Sequence, residues 1–143
     1  MVEELDAEAL RPIPYPDELT QGFWDGVRAH RLCIQRCAKC RHWNHVPTIT
    51  CYACASEDLA FEPVSGKATV HSWTALIDSP GPGFRNMLPL IVGIVELVEQ
   101  PRLFLTTNLV NVDPERLKLG MPVKVTYEQL TEDCFLPQFQ PVA

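Results

Sequence analysis

Two short cysteine pairs constrain this chain more than any other feature: Cys37-Ala38-Lys39-Cys40 and Cys51-Tyr52-Ala53-Cys54. A C-x2-C turn aims two sulfurs at one point. Two such turns facing each other make a tetrahedral four-sulfur site. That pattern predicts a ribbon pinned by metal over residues 32–63. A metal with four thiolate ligands has no open position, so such a site builds structure and performs no chemistry of its own.

Two disulfides would use the same cysteines, but they require an oxidising compartment. The N-terminus, Met1-Val2-Glu3-Glu4-Leu5-Asp6, is acidic and has no apolar signal core, so a cytoplasmic setting is expected. All-sulfur tetrahedral geometry suits zinc or a single rubredoxin-type iron. Zinc is the expected ion and iron the lesser candidate, since nothing else in the chain points to electron transfer. Arg41 and Ala55 follow the two pairs, where ribbon knuckles often carry glycine. His42 and His45 lie in the ribbon loop as alternative ligands. Cys33 and Cys134 read as small buried or half-buried apolar residues.

With 143 residues, 46% of them apolar, the chain can bury a real core. Thirteen prolines argue against long helices. The longest apolar run, Leu88 to Val98, is interrupted by Pro89, Gly93 and Glu96, so no membrane span is expected. A formal net charge of -6 disfavours general binding to phosphate backbones. Arg28, Arg31, Arg36, Lys39 and Arg41 form a local basic cluster, read first as solvated positions and second as a patch for an acidic partner or cofactor phosphates.

Residues 1–16 read as irregular, with proline at alternate positions of Arg11-Pro12-Ile13-Pro14-Tyr15-Pro16. Leu19, Phe23 and Val27 recur every four residues, which predicts an amphipathic helix from Asp17 to Ala29 capped by Asp17. Gly22 and Gly26 weaken that helix and permit close approach of another segment. Phe23 and Trp24 on it serve either internal packing or contact with a partner.

Beyond residue 63 the pattern becomes strand-like at Thr69–Ile77, Ile91–Val98, Leu103–Thr107, Val123–Tyr127 and Phe135–Phe139. Five short strands predict a small closed barrel of OB-fold type. One helical segment is expected between Asp113, an N-cap followed by Pro114, and Gly120. The fold class is therefore mainly β. A segment with a short helix (1–31) precedes the ribbon (32–63) and a five-stranded OB-fold barrel (64–143). The loop Ser79–Pro89 carries Phe84 and Arg85, either as ordinary surface or as an apolar and cationic contact for a ligand or partner. His30 and His71 have no recognisable partners, and His71 is read as structural. No G-x-S-x-G, H-E-x-x-H, G-x-G-x-x-G or phosphate-binding loop is present, and no catalytic residue is nominated.

The ordered set Phe23-Trp24-Asp25-Gly26, Leu32, the two cysteine pairs, Phe61-Glu62-Pro63-Val64-Ser65-Gly66-Lys67-Ala68-Thr69-Val70, Asn108-Leu109-Val110 and Leu119-Gly120-Met121-Pro122-Val123 resembles the DUF35 family. The resemblance runs from about Glu18 to the C-terminus. It implies a rubredoxin-like zinc ribbon followed by an OB-fold, in a non-catalytic accessory subunit. Proteins of this kind pair with thiolase-fold enzymes of acyl-CoA metabolism: thiolases, lipid-transfer-type thiolases acting as aldolases on steroid side-chain CoA esters, and acyltransferases. Some are fused to or associated with hotdog-fold hydratases. The implied role is to bind or channel acyl-CoA, at an interface shared with the partner, and to stabilise that partner. Phe23, Trp24, Phe84 and Arg85 are the expected contacts. Two other readings stay open: a nucleic-acid-binding module and a small iron redox protein.

Overall fold

The computed structural model describes residues 11–78 and 80–142. Residues 1–10, Ser79 and Ala143 lie outside them, so the irregular reading of the first segment applies only from Arg11. From there to Asp17 the chain has no regular structure.

The helix is shorter than its apolar spacing predicts. It covers Gln21–Arg28 (α1). The Asp17 carboxylate accepts from both the amide (2.8 Å) and the hydroxyl (2.9 Å) of Thr20. This local turn satisfies the groups that would otherwise begin a helix, so the helix starts four residues later than predicted. At its other end His30 adopts φ 56°, with Arg31 N donating to Gly26 O (2.8 Å) and His30 N to Val27 O (2.9 Å). These paired bonds are a Schellman stop, built here without glycine. The His30 ring stacks on Tyr127 at 4.9 Å and meets the edge of Phe135 at 4.8 Å, which fixes the helix end to the barrel.

Three strands form the ribbon: β1 (Cys33–Cys37), β2 (Trp43–Asn44) and β3 (Leu59–Pro63), in the antiparallel order β2-β1-β3. Five more form the barrel: β4 (Lys67–Leu76), β5 (Leu90–Leu97), β6 (Phe104–Asn108), β7 (Pro122–Thr131) and β8 (Cys134–Pro141). Their order is β6-β5-β4-β7-β8. The ring is nearly closed by a parallel bridge from Leu109 to Phe139, by Val110 N donating to Phe139 O (2.9 Å), and by the Thr107 hydroxyl donating to Pro137 O (3.2 Å). Antiparallel neighbours with a parallel closure between the third and fifth strands are consistent with an OB-fold. All five predicted strands are present.

Between β6 and β7 the expected helical turn is present as a 3-10 turn, Pro114–Arg116. Its cap is as predicted, with Asp113 accepting from Glu115 N at 3.0 Å. The turn stops at Arg116, well before Gly120, whose φ of 80° serves the loop into β7 instead.

One buried cluster joins the parts. Val70, Val95, Leu97, Val123 and Phe139 of the barrel are at most 2% exposed. They pack in the same cluster as Phe23 and Val27 of α1 and Leu32, Ile34 and Trp43 of the ribbon. Gln100, in the β5–β6 turn, accepts from Trp43 N (2.9 Å) and donates to Trp43 O (3.0 Å). Its side-chain amide thus completes the free edge of β2 and ties ribbon to barrel. Among the described residues no helix is long and apolar enough to cross a membrane.

The helix glycines are sites of close approach. A Cβ on Gly26 would lie 2.7 Å from Arg31 O and 2.8 Å from Cys33 Sγ. Gly26→Ala gains about 1 kcal/mol of helix propensity. The clash involves backbone in the helix stop, and overpacking of this kind costs about 1–3 kcal/mol. The net expectation is destabilisation, read as a lower midpoint in urea; a raised midpoint would show that α1 can move off the ribbon at little cost.

Candidate metal centre and the adjoining cleft

The two cysteine turns hold their sulfurs by local backbone geometry. Arg41 N donates to Cys37 O and Ala55 N to Cys51 O, both at 2.9 Å. Arg41 (φ 67°) and Ala55 (φ 61°) adopt the left-handed conformation that glycine usually supplies at this place. The knuckles form without glycine, at the backbone cost of two L-residues in that region. Cys40 N and Ala53 N point at the sulfurs of Cys37 and Cys51, each at 3.4 Å.

Together the turns bring Cys37, Cys40, Cys51 and Cys54 into one cluster, with all four sulfurs within 4.8 Å of one another. Cys37 and Cys54 are 3.6 Å apart, as are Cys40 and Cys51. A tetrahedron with metal–sulfur bonds of about 2.3 Å has edges of about 3.8 Å, so the cluster fits such an ion. The Cys40 amide holds the Cys37 thiol below its ordinary value. At Cys40 the His42 amide pulls down, but burial and the neighbouring sulfurs prevail and push the thiol up to about 12. Four thiols this close cannot all ionise against their mutual repulsion; a bound cation removes that obstacle. The four residues are therefore positioned to bind a metal.

His42 and His45 are not part of this cluster. Cys33 is buried, and burial pushes its thiol up. Cys134 is half-buried on β8. His71 lies beside a β-bulge in β4 and its ring packs against Phe104 at 4.4 Å. The basic cluster is partly answered by Glu62, which pairs with Arg41 at 3.1 Å and Arg36 at 4.0 Å. Arg36 also lies 4.4 Å above the Trp43 ring.

Next to the ribbon is a cleft of about 310 Å³ between α1, the loop after β2, and strands β6 and β8. Phe23 and Trp24 line one side, in edge-to-face contact at 5.1 Å. Phe23 is 8% exposed, so its main role is internal packing; Trp24 is half-buried. His45, Val46 and Pro47 supply a second wall, and Leu105, Asn108 and Pro137 help form the barrel side. The loop holding His45–Pro47 is pinned, because Gln35 both donates to Thr48 O (2.9 Å) and accepts from Thr48 N (3.0 Å). The Tyr52 hydroxyl donates to Val46 O at 3.0 Å. Apart from Phe23 and Trp24, no sequence signal marks this cleft, because its walls come from four separated segments. Phe84, half-buried, and Arg85, exposed, lie in the β4–β5 connection and do not line it.

A four-cysteine ribbon docked on a nearly closed five-stranded barrel defines a zinc-ribbon/OB-fold protein. Residues 24–60 match the family model for the ChsH2 rubredoxin-like zinc ribbon domain, and residues 61–128 match that for the ChsH2 C-terminal OB-fold domain. The chain belongs to the DUF35 family: it is 30% identical to a DUF35 domain-containing scaffold protein of Methanothermobacter thermautotrophicus, over 73% of this chain and 77% of that one. It is also 34% identical to a probable enoyl-CoA hydratase alpha subunit of Thermomonospora curvata, over 96% of this chain. It spans only 42% of that relative's length. Among solved structures, a chain of the Ltp2-ChsH2(DUF35) aldolase superposes with a TM-score of 0.82 at 32% identity, over 91% of this chain and 99% of that one.

Proposed function

We propose that this chain is an accessory subunit that docks on a thiolase-fold enzyme and holds acyl-CoA at their shared interface. The observation that carries this reading is the near-complete superposition on the ChsH2-type chain of an aldolase complex. The carbon–carbon cleavage or acyl transfer would belong to the partner's nucleophile, and the substrate would be a steroid or fatty-acyl CoA ester. Cys37, Cys40, Cys51 and Cys54 would hold zinc as a structural ion, which fits their spacing and their closed ligand set. Trp24 beside Phe23, and Phe84 with Arg85 on the separate loop, are the contacts assigned to ligand or partner. The pairing would take place in the cytoplasm.

Co-expression with a thiolase-fold enzyme from the same source tests the reading. A single complex of fixed stoichiometry in size-exclusion chromatography with light scattering, with higher acyl-CoA turnover than the partner alone, is expected. Separate elution and unchanged turnover would refute it. Submicromolar binding to single-stranded oligonucleotide with a steep salt dependence would favour the nucleic-acid reading instead.

A further inference from the structure

The cleft between α1, the ribbon loop and the barrel differs from a nucleotide site in one decisive way. Its lining includes no Asp, Glu, Lys or Arg among the described residues. Its titratable group is His45, and burial lowers that imidazole's tendency to charge. A site for the phosphates of a cofactor needs cations or converging amides, and this wall has no cation to offer.

The polar groups it does have are largely satisfied within the protein. The Thr107 hydroxyl donates to the carbonyls of Asn108 and Pro137. Asn108 Nδ2 donates to Ile91 O at 3.1 Å. Among the buried ones the exception is His45 Nδ1, which has no hydrogen-bond partner among the described residues. Around these groups stand the Trp24 ring, Val46, Pro47, Leu105 and Leu136. A volume of about 310 Å³ is at the small end of ligand sites and suits part of a ligand better than the whole of a coenzyme thioester.

We infer that this cleft receives the uncharged acyl portion of a CoA thioester, while the charged nucleotide portion lies outside it. The inference rests on the reading of the chain as an acyl-CoA-handling subunit and specifies which end of the ligand this surface recognises. Chain length and shape of the acyl group are then selected by the Trp24 and Leu105 walls. The His45 imidazole adds a ring face to these walls.

Thr106 gives the cleanest test. It is exposed on β6 and lines the cleft, so a phenylalanine there fills the space without entering the core. Phenylalanine also favours strands. The zinc-loaded full chain is titrated calorimetrically with octanoyl-CoA and with free CoA. Burial of the acyl chain predicts at least about tenfold tighter binding of octanoyl-CoA. Thr106→Phe is expected to bring the two affinities within about twofold, with CoA binding, melting temperature and the partner complex unchanged. Octanoyl-CoA binding no tighter than CoA, or a preference that survives Thr106→Phe, would overturn the assignment. So would loss of the partner complex in Thr106→Phe with the acyl preference intact, since the cleft would then be a protein interface. In all three cases a stable thiolase-fold complex of the unmodified chain would leave the accessory-subunit reading standing. Absence of that complex would sink the broader reading by itself.

Discussion

Cys40→Ser is expected to abolish stoichiometric metal binding and to melt the ribbon while the barrel remains folded. Three thiolates cannot close a tetrahedral zinc site, and the ribbon has little else to hold it. Its strand β2 is two residues long, Trp43–Asn44. Metal binding in such small units is largely folding free energy, about 10–16 kcal/mol in isolated zinc-finger peptides. Here part of that is replaced by packing of Ile34 and Trp43 against the barrel cluster. A loss of about 2–5 kcal/mol is expected, by analogy with removing a native disulfide cross-link from a small domain, and a fall in melting temperature on the order of 10 °C. Elemental analysis and thermal denaturation check both. Cys134→Ser is the control. Cys134 lies on β8, outside the sulfur cluster, so metal content should not change. Equal zinc loss in both variants would show that the wrong cysteines have been assigned.

Phe139→Ala is expected to be the most damaging single change in the barrel. The side chain has no measurable exposure, and its backbone makes the bridge that closes β8 against the segment after β6. Truncating a fully buried phenylalanine costs about 3–5 kcal/mol, from lost transfer energy and the cavity left behind. The β6–β8 closure should loosen with it, since the cavity opens directly beneath the Leu109–Phe139 bridge. Urea denaturation should give a lower midpoint, and amide exchange at Val110 should accelerate, because that amide donates to Phe139 O. An unchanged midpoint would mean that the barrel is not closed at this point.

What was legible in the sequence was local. A C-x2-C pair fixes its own turn, so the spacing of Cys37, Cys40, Cys51 and Cys54 alone points to the sulfur cluster. The apolar run Ile91–Val98, which became β5, and the Asp113-Pro114 cap are likewise properties of neighbouring residues. The misjudged boundaries came from competition at short range. Asp17 satisfies Thr20 in a turn instead of capping a helix, and the 3-10 turn after Asp113 ends at Arg116 because Leu117 returns to extended backbone. The long-range features have no local signature. Nothing in the string links Gln100 to Trp43 or Gln35 to Thr48, yet these side-chain amides fix the ribbon to the barrel and the His45–Pro47 loop to β1. The cleft has the same origin, since Trp24, Val46, Leu105 and Leu136 meet only in the folded chain. Arg41 and Ala55 show the reverse case, in which the knuckle imposes a left-handed backbone that local preference opposes.

The accessory-subunit role is tested most directly by purifying the tagged chain from its own cells and identifying, by quantitative mass spectrometry, what is bound to it. The predicted result is a thiolase-fold enzyme in fixed stoichiometry, retained at moderate salt and released together with zinc loss in Cys40→Ser. Recovery of the chain with nucleic acid or ribosomal proteins and no acyl-CoA enzyme would contradict that role.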